Sequence, residues 1–162
     1  MNFEFVEQFK THVASLLNAG GAPLDRALYD RVFKKDVNRF EADVVFYMDS
    51  NDAVRWWWRI AARREWGLQG WMKNKVYPDF LIRLDADGDT ARLLVLETKG
   101  KFLEGSADTE FKRKFFDLLE KAYTLGYEAG DIDLFAEAPE IMRFRIVIQE
   151  ESWKNEVEAA LA

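Results

Sequence analysis

The chain has no cysteine and only one histidine, His12, among its 162 residues. Without cysteine there is no disulfide bond, no thiolate zinc site and no cysteine nucleophile, a composition that suits a reducing cytoplasm. A serine–histidine hydrolase or a histidine-ligated zinc enzyme would depend on His12 alone. The composition therefore disfavours these classes of enzyme, and we expect a cytoplasmic protein.

Long apolar runs are also missing. Charges are spread through the N-terminal residues MNFEFVEQFKTHV, and no later stretch reaches the roughly 20 apolar residues of a membrane span. Neither a signal peptide nor a membrane partner is expected. There are only 3 prolines, whereas 49% of the residues are hydrophobic and 15% are aromatic, which predicts a folded chain. A chain of 162 residues suits one domain, because two smaller cores would both be marginal.

Apolar spacing and turn residues divide this single domain, residues 1–162, into three parts. The N-terminal part, 1–37, is predicted to be a helical extension with helices over 3–19 and about 24–34. The core, 38–150, is predicted to hold helices over about 38–49 and 108–125 and strands over 67–71, 76–84, 92–98 and 144–150. A C-terminal helix is predicted within 151–162. Residues 53–64, AVRWWWRIAARR, fit both a helix and a strand.

The order of these elements indicates an α/β fold. A helix, three strands, a helix and a strand would form an α–β–β–β–α–β core, with a mixed central sheet flanked by helices. The additional N-terminal helices would precede this core. Nothing in the sequence marks a repeat or an internal linker, so all the elements are assigned to the same domain.

Three charged residues are expected to meet at one end of a hairpin in this core. The turn sequence DADGDTA joins two of the strands, and their antiparallel pairing would make Asp79 and Glu97 neighbours. Glu97 and Lys99 are two positions apart in a strand and share a face. Two carboxylates can hold hard cations, and an ammonium group can stabilise charge that develops on a phosphoryl group. The alternative is a hairpin with solvated ends, but LLVLETKG runs directly from apolar residues into Glu97 and Lys99.

A basic stretch precedes the hairpin although the whole chain has a net charge of −6. From Arg55 to Lys75 the local charge balance is +5, because one acidic residue, Glu65, stands among six basic ones. The candidate nucleic-acid contacts are these six basic residues and Lys101, which lies further along the chain: Arg55, Arg59, Arg63, Arg64, Lys73, Lys75 and Lys101. Such residues bind phosphates without regard to sequence, although a solvated helix face is the alternative. Five interleaved tryptophans could stack on bases, but we expect at least three of them in the core.

The segments VYPDFLIRL and LLVLETKG together resemble the signature of PD-(D/E)XK nucleases. The preceding VRWWWRIAARREWGLQGWMKNK resembles the run before that signature in C-terminal nuclease domains of type III restriction-enzyme-like (DEAD/DEAH-type) helicases. This resemblance implies a restriction-endonuclease-like fold and Mg²⁺ as cofactor, which Mn²⁺ can replace. It implies metal binding by Asp79 and Glu97, with Lys99 as the electrostatic or water-positioning group, and we expect the backbone carbonyl of Thr98 as a further metal ligand. It also implies a glutamate on the first core helix, for which Glu41 is the candidate.

The expected function is metal-dependent hydrolysis of DNA phosphodiester bonds by an endonuclease domain of a restriction or DNA-translocase system. Gly100-Lys101 lacks the remaining residues of a phosphate-binding loop, so a helicase or translocase motor is expected as a separate domain or subunit. The main alternative is a catalytically inactive nuclease-like module that binds DNA or a protein. A further alternative is a purely structural domain of a larger assembly.

Overall fold

The computed structural model describes residues 14–29, 31–72, 74–85, 92–124 and 141–162. Its α-helices are α1 (Arg39–Asp49), α2 (Ala107–Thr124) and α3 (Trp153–Leu161). Its strands are β1 (Val54–Arg59), β2 (Phe80–Leu84), β3 (Arg92–Lys99) and β4 (Ile141–Ile148). Two short 3-10 helices cover Lys34–Asp36 and Lys101–Leu103. None of the helices in the described ranges combines the length and apolar character needed to cross a bilayer.

The four strands form one mixed sheet in the order β1-β2-β3-β4. The pairs β1–β2 and β2–β3 are antiparallel, whereas β4 lies parallel to β3. A parallel neighbour requires a crossover, and α2 lies in the connection from β3 to β4. The predicted mixed sheet with flanking helices is confirmed, and so is the element order helix, three strands, helix, strand.

Two apolar clusters cover the faces of this sheet. Leu94 and Leu96 of β3 belong to the larger cluster, which includes buried residues of α1 and α3. Val95, between them, belongs to the second cluster with Phe115 and Phe116 of α2. Alternate residues of β3 therefore face opposite helical layers, as the period of a strand requires. Because β3 is covered on both faces, charged residues at its end are drawn into a buried environment.

The predicted helical N-terminal extension is wrong for the described residues of 1–37, and residues 1–13 lie outside them. The backbone N–H of Leu16 donates to Val32, so this part is extended where the helix over 3–19 was expected. The α-helix expected over 24–34 is likewise not formed by the described residues of that range, which contain bends and isolated bridges at Ala27 and Phe33. Residues 26–28 lie along the edge of β1, where the N–H of Trp57 donates to Arg26 and that of Leu28 donates to Trp57. Hydrogen bonding to the exposed edge of β1 therefore outweighs the helical spacing of apolar residues in this segment.

The first strand of the core also differs from the prediction. Residues 53–64, left open between helix and strand, contain β1, whereas the predicted strand over 67–71 is wrong. Leu68 makes an isolated bridge with Val76 instead, and Gly67 and Gly70 on either side offer no side chains to a sheet. The predicted strand over 76–84 begins only at Phe80, because Pro78 has no N–H to donate to a ladder.

The remaining elements agree with the prediction to within a few residues. The helix expected over 38–49 is α1, and those expected over 108–125 and 151–162 are α2 and α3. The strand expected over 144–150 is β4, and the hairpin of β2 and β3 is antiparallel as predicted. The turn sequence between those two strands lies largely at residues 86–91, outside the described residues.

Candidate active site

Asp79 lies immediately before β2 and is held against the end of β3. Its Oδ2 accepts hydrogen bonds from the backbone N–H of Thr98, at 2.8 Å, and from the Thr98 hydroxyl, at 2.7 Å. The strand register pairs Phe80 with Leu96, so Asp79 and Glu97 follow as neighbours across the hairpin. The predicted meeting of Asp79 and Glu97 at one strand end is therefore present. Thr98 contributes its N–H and hydroxyl to hold Asp79 there.

Glu97 and Lys99 lie on the face of β3 that is covered by α2. The Nζ atom of Lys99 is 3.0 Å from Oε1 of Glu97, which confirms that the two side chains share a face. Only 3% of Glu97 is exposed, and its other oxygen, Oε2, is buried without a hydrogen-bond partner among the described residues. A buried carboxylate oxygen without a partner carries a large desolvation cost, so this atom marks a position where a ligand would be stabilised.

Glu41, the candidate from resemblance alone, lies in the first turn of α1 and has two roles. Its Oε2 accepts the backbone N–H of Asn38, and the Asn38 side chain accepts the N–H of Glu41, both at 2.9 Å. This reciprocal pair is a capping box that fixes the start of the helix. Its Oε1 is 3.2 Å from the guanidinium of Arg59. Glu41 is thus placed near the site by the same contacts that begin the helix.

Arg59, predicted as a nucleic-acid contact, lies inside the carboxylate cluster. Its guanidinium is 3.2 Å from Glu41 and 3.4 Å from Asp79, and its side chain is only 19% exposed. It also donates to the backbone carbonyls of Ile60 and Asp79. Arg59 therefore ties α1, β1 and the start of β2 together at the site. Its charge is paired with these two carboxylates.

Lys112 and Asp108 of α2 complete the cluster, and sequence reasoning missed both. The Nζ atom of Lys112 is 2.6 Å from Oε1 of Glu97, closer than that of Lys99. Asp108 lies 3.0 Å from Lys99 and 3.6 Å from Lys112. A signal was available, because 108 and 112 share a helix face with the inward-facing Phe115. This helical spacing predicts that the side chain of Lys112 points toward the sheet.

Burial dominates the electrostatics of the two most enclosed carboxyl groups. Burial raises the pKa of Glu97, repulsion from Asp79 raises it further, and the attraction of Lys112 and Lys99 only partly opposes this. The pKa of Glu41 is also raised, again chiefly by burial and against the attraction of Arg59. Both carboxyl groups therefore hold their charge less readily than in water, and an added cation would favour the ionised form.

The two groups at the outer side of the cluster shift in the direction expected of an ion pair. Burial alone would lower the pKa of Lys99, but attraction to Glu97 and hydrogen bonds to Asp108 and Glu97 raise it above its usual range. The pKa of Asp108 is lowered, because hydrogen bonding to Lys99 and attraction to Lys112 outweigh the effect of burial. Lys99 is therefore a permanent cation at neutral pH.

The chemistry of these oxygens suits a hard cation such as Mg²⁺, since Asp79 and Glu97 present carboxylates and Glu97 has an open Oε2. Two carboxylates form an incomplete shell, however. Over the part of the chain that the structure describes, no group of three or more carboxylate or imidazole side chains is placed to hold a metal ion. Further ligands would have to come from backbone carbonyls, such as that of Thr98, and from water, which is usual for Mg²⁺.

The predicted basic stretch does not form one continuous surface beside the site. Arg55 lies at the opposite end of β1 from Arg59, has a side chain that is 69% exposed and is 3.6 Å from Asp85. Arg63, Arg64, Lys75 and Lys101 are all exposed, and Lys73 lies outside the described residues. Arg63 adopts a positive φ of 64° in the loop after β1. Because Arg59 is the strand residue beside Asp79, Arg55 is separated from Asp79 by roughly four residues of strand, about 13 Å.

The tryptophans also differ from the expectation. Trp57 alone among the five is fully buried, and Trp66 is half-buried against the second apolar cluster. Trp56 and Trp58 flank Trp57 and are half-buried, because neighbouring residues of a strand point to opposite faces. Trp71 is 60% exposed. The expectation that at least three occupy the core is not met, and Trp58 is left beside an open cleft.

Comparison of the chain with protein-family models, with curated proteins and with solved structures finds no match.

Proposed function

We propose that the protein is a metal-dependent nuclease domain that hydrolyses phosphodiester bonds of DNA. The observation that carries this proposal is the group formed by Asp79, Glu97 and Lys99 at one end of the β2–β3 hairpin, with Glu97 Oε2 buried and without a described partner. Burying carboxylates beside one another is costly, so a structural domain gains little from such a group. Binding of a cation would offset the free energy lost by burying these carboxylates.

Each residue of the group has a definite part in this proposal. Asp79 and Glu97 would hold Mg²⁺ or Mn²⁺ through oxygen, with the Thr98 carbonyl as a further ligand. When bound, the ion would lower the pKa of a water molecule and neutralise charge on the phosphate. Lys99, which keeps its proton at neutral pH, would stabilise the negative charge that develops on the phosphoryl oxygens. Thr98 keeps Asp79 oriented by donating two hydrogen bonds to one of its oxygens.

The resemblance to PD-(D/E)XK nucleases supports the same proposal and extends it to a partner. We propose that the domain acts beside a helicase or translocase motor on a separate domain or subunit. Arg63, Arg64, Lys75 and Lys101 are exposed and could contact DNA phosphates near the site. Arg55 would contact DNA only at the far end of the sheet.

The test is cleavage of supercoiled plasmid and linear DNA in the presence of Mg²⁺ or Mn²⁺. Asp79→Asn and Lys99→Ala are each expected to lower the rate by at least about a hundredfold, since both remove stabilisation of charge in the transition state. Asp79→Asn keeps an oxygen that can accept from Thr98, so the strand end should stay folded. Circular dichroism checks that it does.

The matched controls are Asp117→Asn and Lys114→Ala, because both residues are exposed on α2 and neither contacts the site in the structure. Both variants should cut DNA at the wild-type rate. Equal nicking by the wild type and by the Asp79 and Lys99 variants would rule out the proposed site.

A second candidate function is a nuclease-like module that binds DNA without cutting it. One observation favours it: Arg59, Lys99 and Lys112 already neutralise the carboxylates in the structure. Mn²⁺ binding measured by electron paramagnetic resonance separates the two functions. Loss of a bound ion in Asp79→Asn supports the nuclease, whereas no binding at millimolar Mn²⁺ in the wild type supports the inactive module.

A further inference from the structure

A cleft of about 670 Å³ adjoins the candidate active site through Arg59. One wall is formed by residues 28–29, 31–33 and 35–36, and the other by the end of β1 and the loop after it. Its size falls in the range of small-ligand sites, roughly 300–1,000 Å³. A volume in this range accommodates one or two nucleotides of a single strand.

The lining of this cleft combines positive charge with aromatic rings. Its charged residues are Arg31, Lys35, Arg59 and Arg64 on the basic side and Asp36 and Glu65 on the acidic side. The carboxylate of Glu65 is engaged locally, since it accepts the backbone N–H of Ala61 at 2.7 Å. Lys35 and Arg64 are exposed, so their charges are accessible to a phosphate backbone.

Two aromatic side chains meet in the cleft. The ring of Tyr29 stands edge-to-face against that of Trp58, with centroids 6.3 Å apart, and Tyr29 is 56% exposed. The indole N–H of Trp58 is buried and has no hydrogen-bond partner among the described residues. A donor of this kind is stabilised by an acceptor from a ligand, and the exposed ring of Tyr29 offers a surface on which a base can stack.

Arg59 connects the cleft to the carboxylates. It lines the cleft and also forms the ion pairs with Glu41 and Asp79. The next residue, Ile60, is another lining residue, and its backbone N–H donates to Asp79 at 2.9 Å. A nucleic-acid strand bound in the cleft would therefore contact Arg59, which itself contacts the carboxylates proposed to act on a phosphodiester.

We propose that this cleft binds a single-stranded segment of nucleic acid, with a base against Tyr29 and Trp58 and the phosphates facing Lys35 and Arg64. The inference rests on the proposed nuclease function for the choice of nucleic acid as ligand. It adds that the domain acts on an unpaired strand, such as one that a translocase separates. Binding requires no metal, because none of the proposed contacts is made through one.

The test measures anisotropy of a fluorescein-labelled oligothymidylate with the whole chain in EDTA, so that no cleavage occurs. Lys35→Gln and Arg64→Gln are each expected to lower the slope of log affinity against log salt by about 0.7, the value for one phosphate contact on a single strand. Tyr29→Ser should weaken binding about tenfold through the loss of stacking. Unlabelled duplex of the same length should compete more weakly than single strand.

The matched controls lie close by in the chain. Lys34→Gln changes the residue next to Lys35, which is exposed but does not line the cleft, and Phe46→Ala removes an exposed aromatic ring on α1. Neither should alter binding. Equal weakening by Lys34→Gln and Lys35→Gln would show a general surface-charge effect and overturn the proposal, as would equal competition by duplex.

These measurements distinguish a failure of the proposed cleft from a failure of the proposed nuclease function. Binding that depends on Lys35, Arg64 and Tyr29 without any metal-dependent cleavage supports the cleft and contradicts the proposed catalysis. Cleavage that depends on Asp79, together with wild-type binding and cutting by the three cleft variants, supports the nuclease and overturns the cleft.

Discussion

Glu97 is shared by two lysines, and this arrangement has a consequence for ion binding. Both Lys99 and Lys112 contact Oε1, which leaves Oε2 as the only oxygen of that carboxylate open to a metal ion. A lysine ammonium and a divalent ion bound to one carboxylate repel each other, and at a separation of about 5 Å this repulsion is strong even with partial screening. Lys112 should therefore weaken metal binding, although it offsets the charge of Glu97 when no ion is bound.

Lys112→Met is expected to tighten Mn²⁺ binding by at least about tenfold at pH 8, because it removes that repulsion and keeps the apolar stem. Calorimetric titration measures the affinity directly. Lys114→Met, a change of the same charge on the exposed side of α2, should leave the affinity unaltered. Weaker binding by Lys112→Met would show instead that Lys112 is needed to position Glu97.

Sequence reasoning found the residues of the site that are linked by local geometry. Asp79, Glu97 and Lys99 belong to one hairpin, so strand alternation and antiparallel pairing suffice to bring them together. Arg59 and Lys112 reach the same place from β1 and α2, and their position depends on how helices and strands pack. Arg59 was therefore assigned to a DNA surface, and Lys112 was not identified.

At the scale of elements, the segment beside β1 depends on Asp49 at the end of α1. This buried carboxylate accepts the backbone N–H groups of Asp25 and Arg26, at 2.9 and 2.8 Å, and the indole N–H of Trp57, at 3.0 Å. It thereby joins a helix, a strand and residues 25–26, which precede one wall of the cleft in the chain. Hydrogen bonds to a charged group contribute about 1.5–3 kcal/mol each.

Asp49→Ala is expected to lower the free energy of unfolding by about 3 kcal/mol, since it leaves one buried and two partly buried donors without an acceptor. Urea denaturation followed by tryptophan fluorescence measures the change. Asp43→Ala, at an exposed position of the same helix, should alter stability by less than about 0.5 kcal/mol. A similar loss in both variants would mean that Asp49 acts through helix propensity alone.

The helical prediction for 24–34 failed because of this network. Apolar spacing reports which residues prefer burial, but it does not report which backbone groups need partners. The edge of β1 and the carboxylate of Asp49 both require donors or acceptors from residues 25–28. Those partners are distant in sequence, so the local pattern could not reveal them. Helix α1 agrees with the prediction from apolar spacing, and its start needs no distant partner because Asn38 and Glu41 form a local capping box.

At the scale of the whole molecule, the site draws on α1, β1, β3 and α2 as well as on the residue before β2. Glu41, Arg59, Asp79, Glu97 and Lys112 come from both helical layers and from the sheet between them. A ligand that binds these residues only when they are assembled stabilises the folded state by mass action. Ion binding should therefore be visible in the thermal unfolding of the entire domain.

Mn²⁺ at about a hundred times its dissociation constant is expected to raise the melting temperature of the wild type by about 5 to 10 °C. Differential scanning calorimetry provides the measurement. Asp79→Asn should abolish the rise, whereas Asp117→Asn should retain it. A rise of the same size in both variants would place the ion somewhere other than the candidate site.

The double role of Glu41 gives it a different evolutionary constraint from that of Lys99. One oxygen of Glu41 begins helix α1 and the other holds Arg59, so selection for folding alone would preserve this glutamate. Lys99 instead forms ion pairs with Glu97 and with Asp108 in the first turn of α2. In a lineage that lost catalysis, the start of α1 would still preserve Glu41, and an invariant glutamate at this position would therefore be a poor marker of an active enzyme.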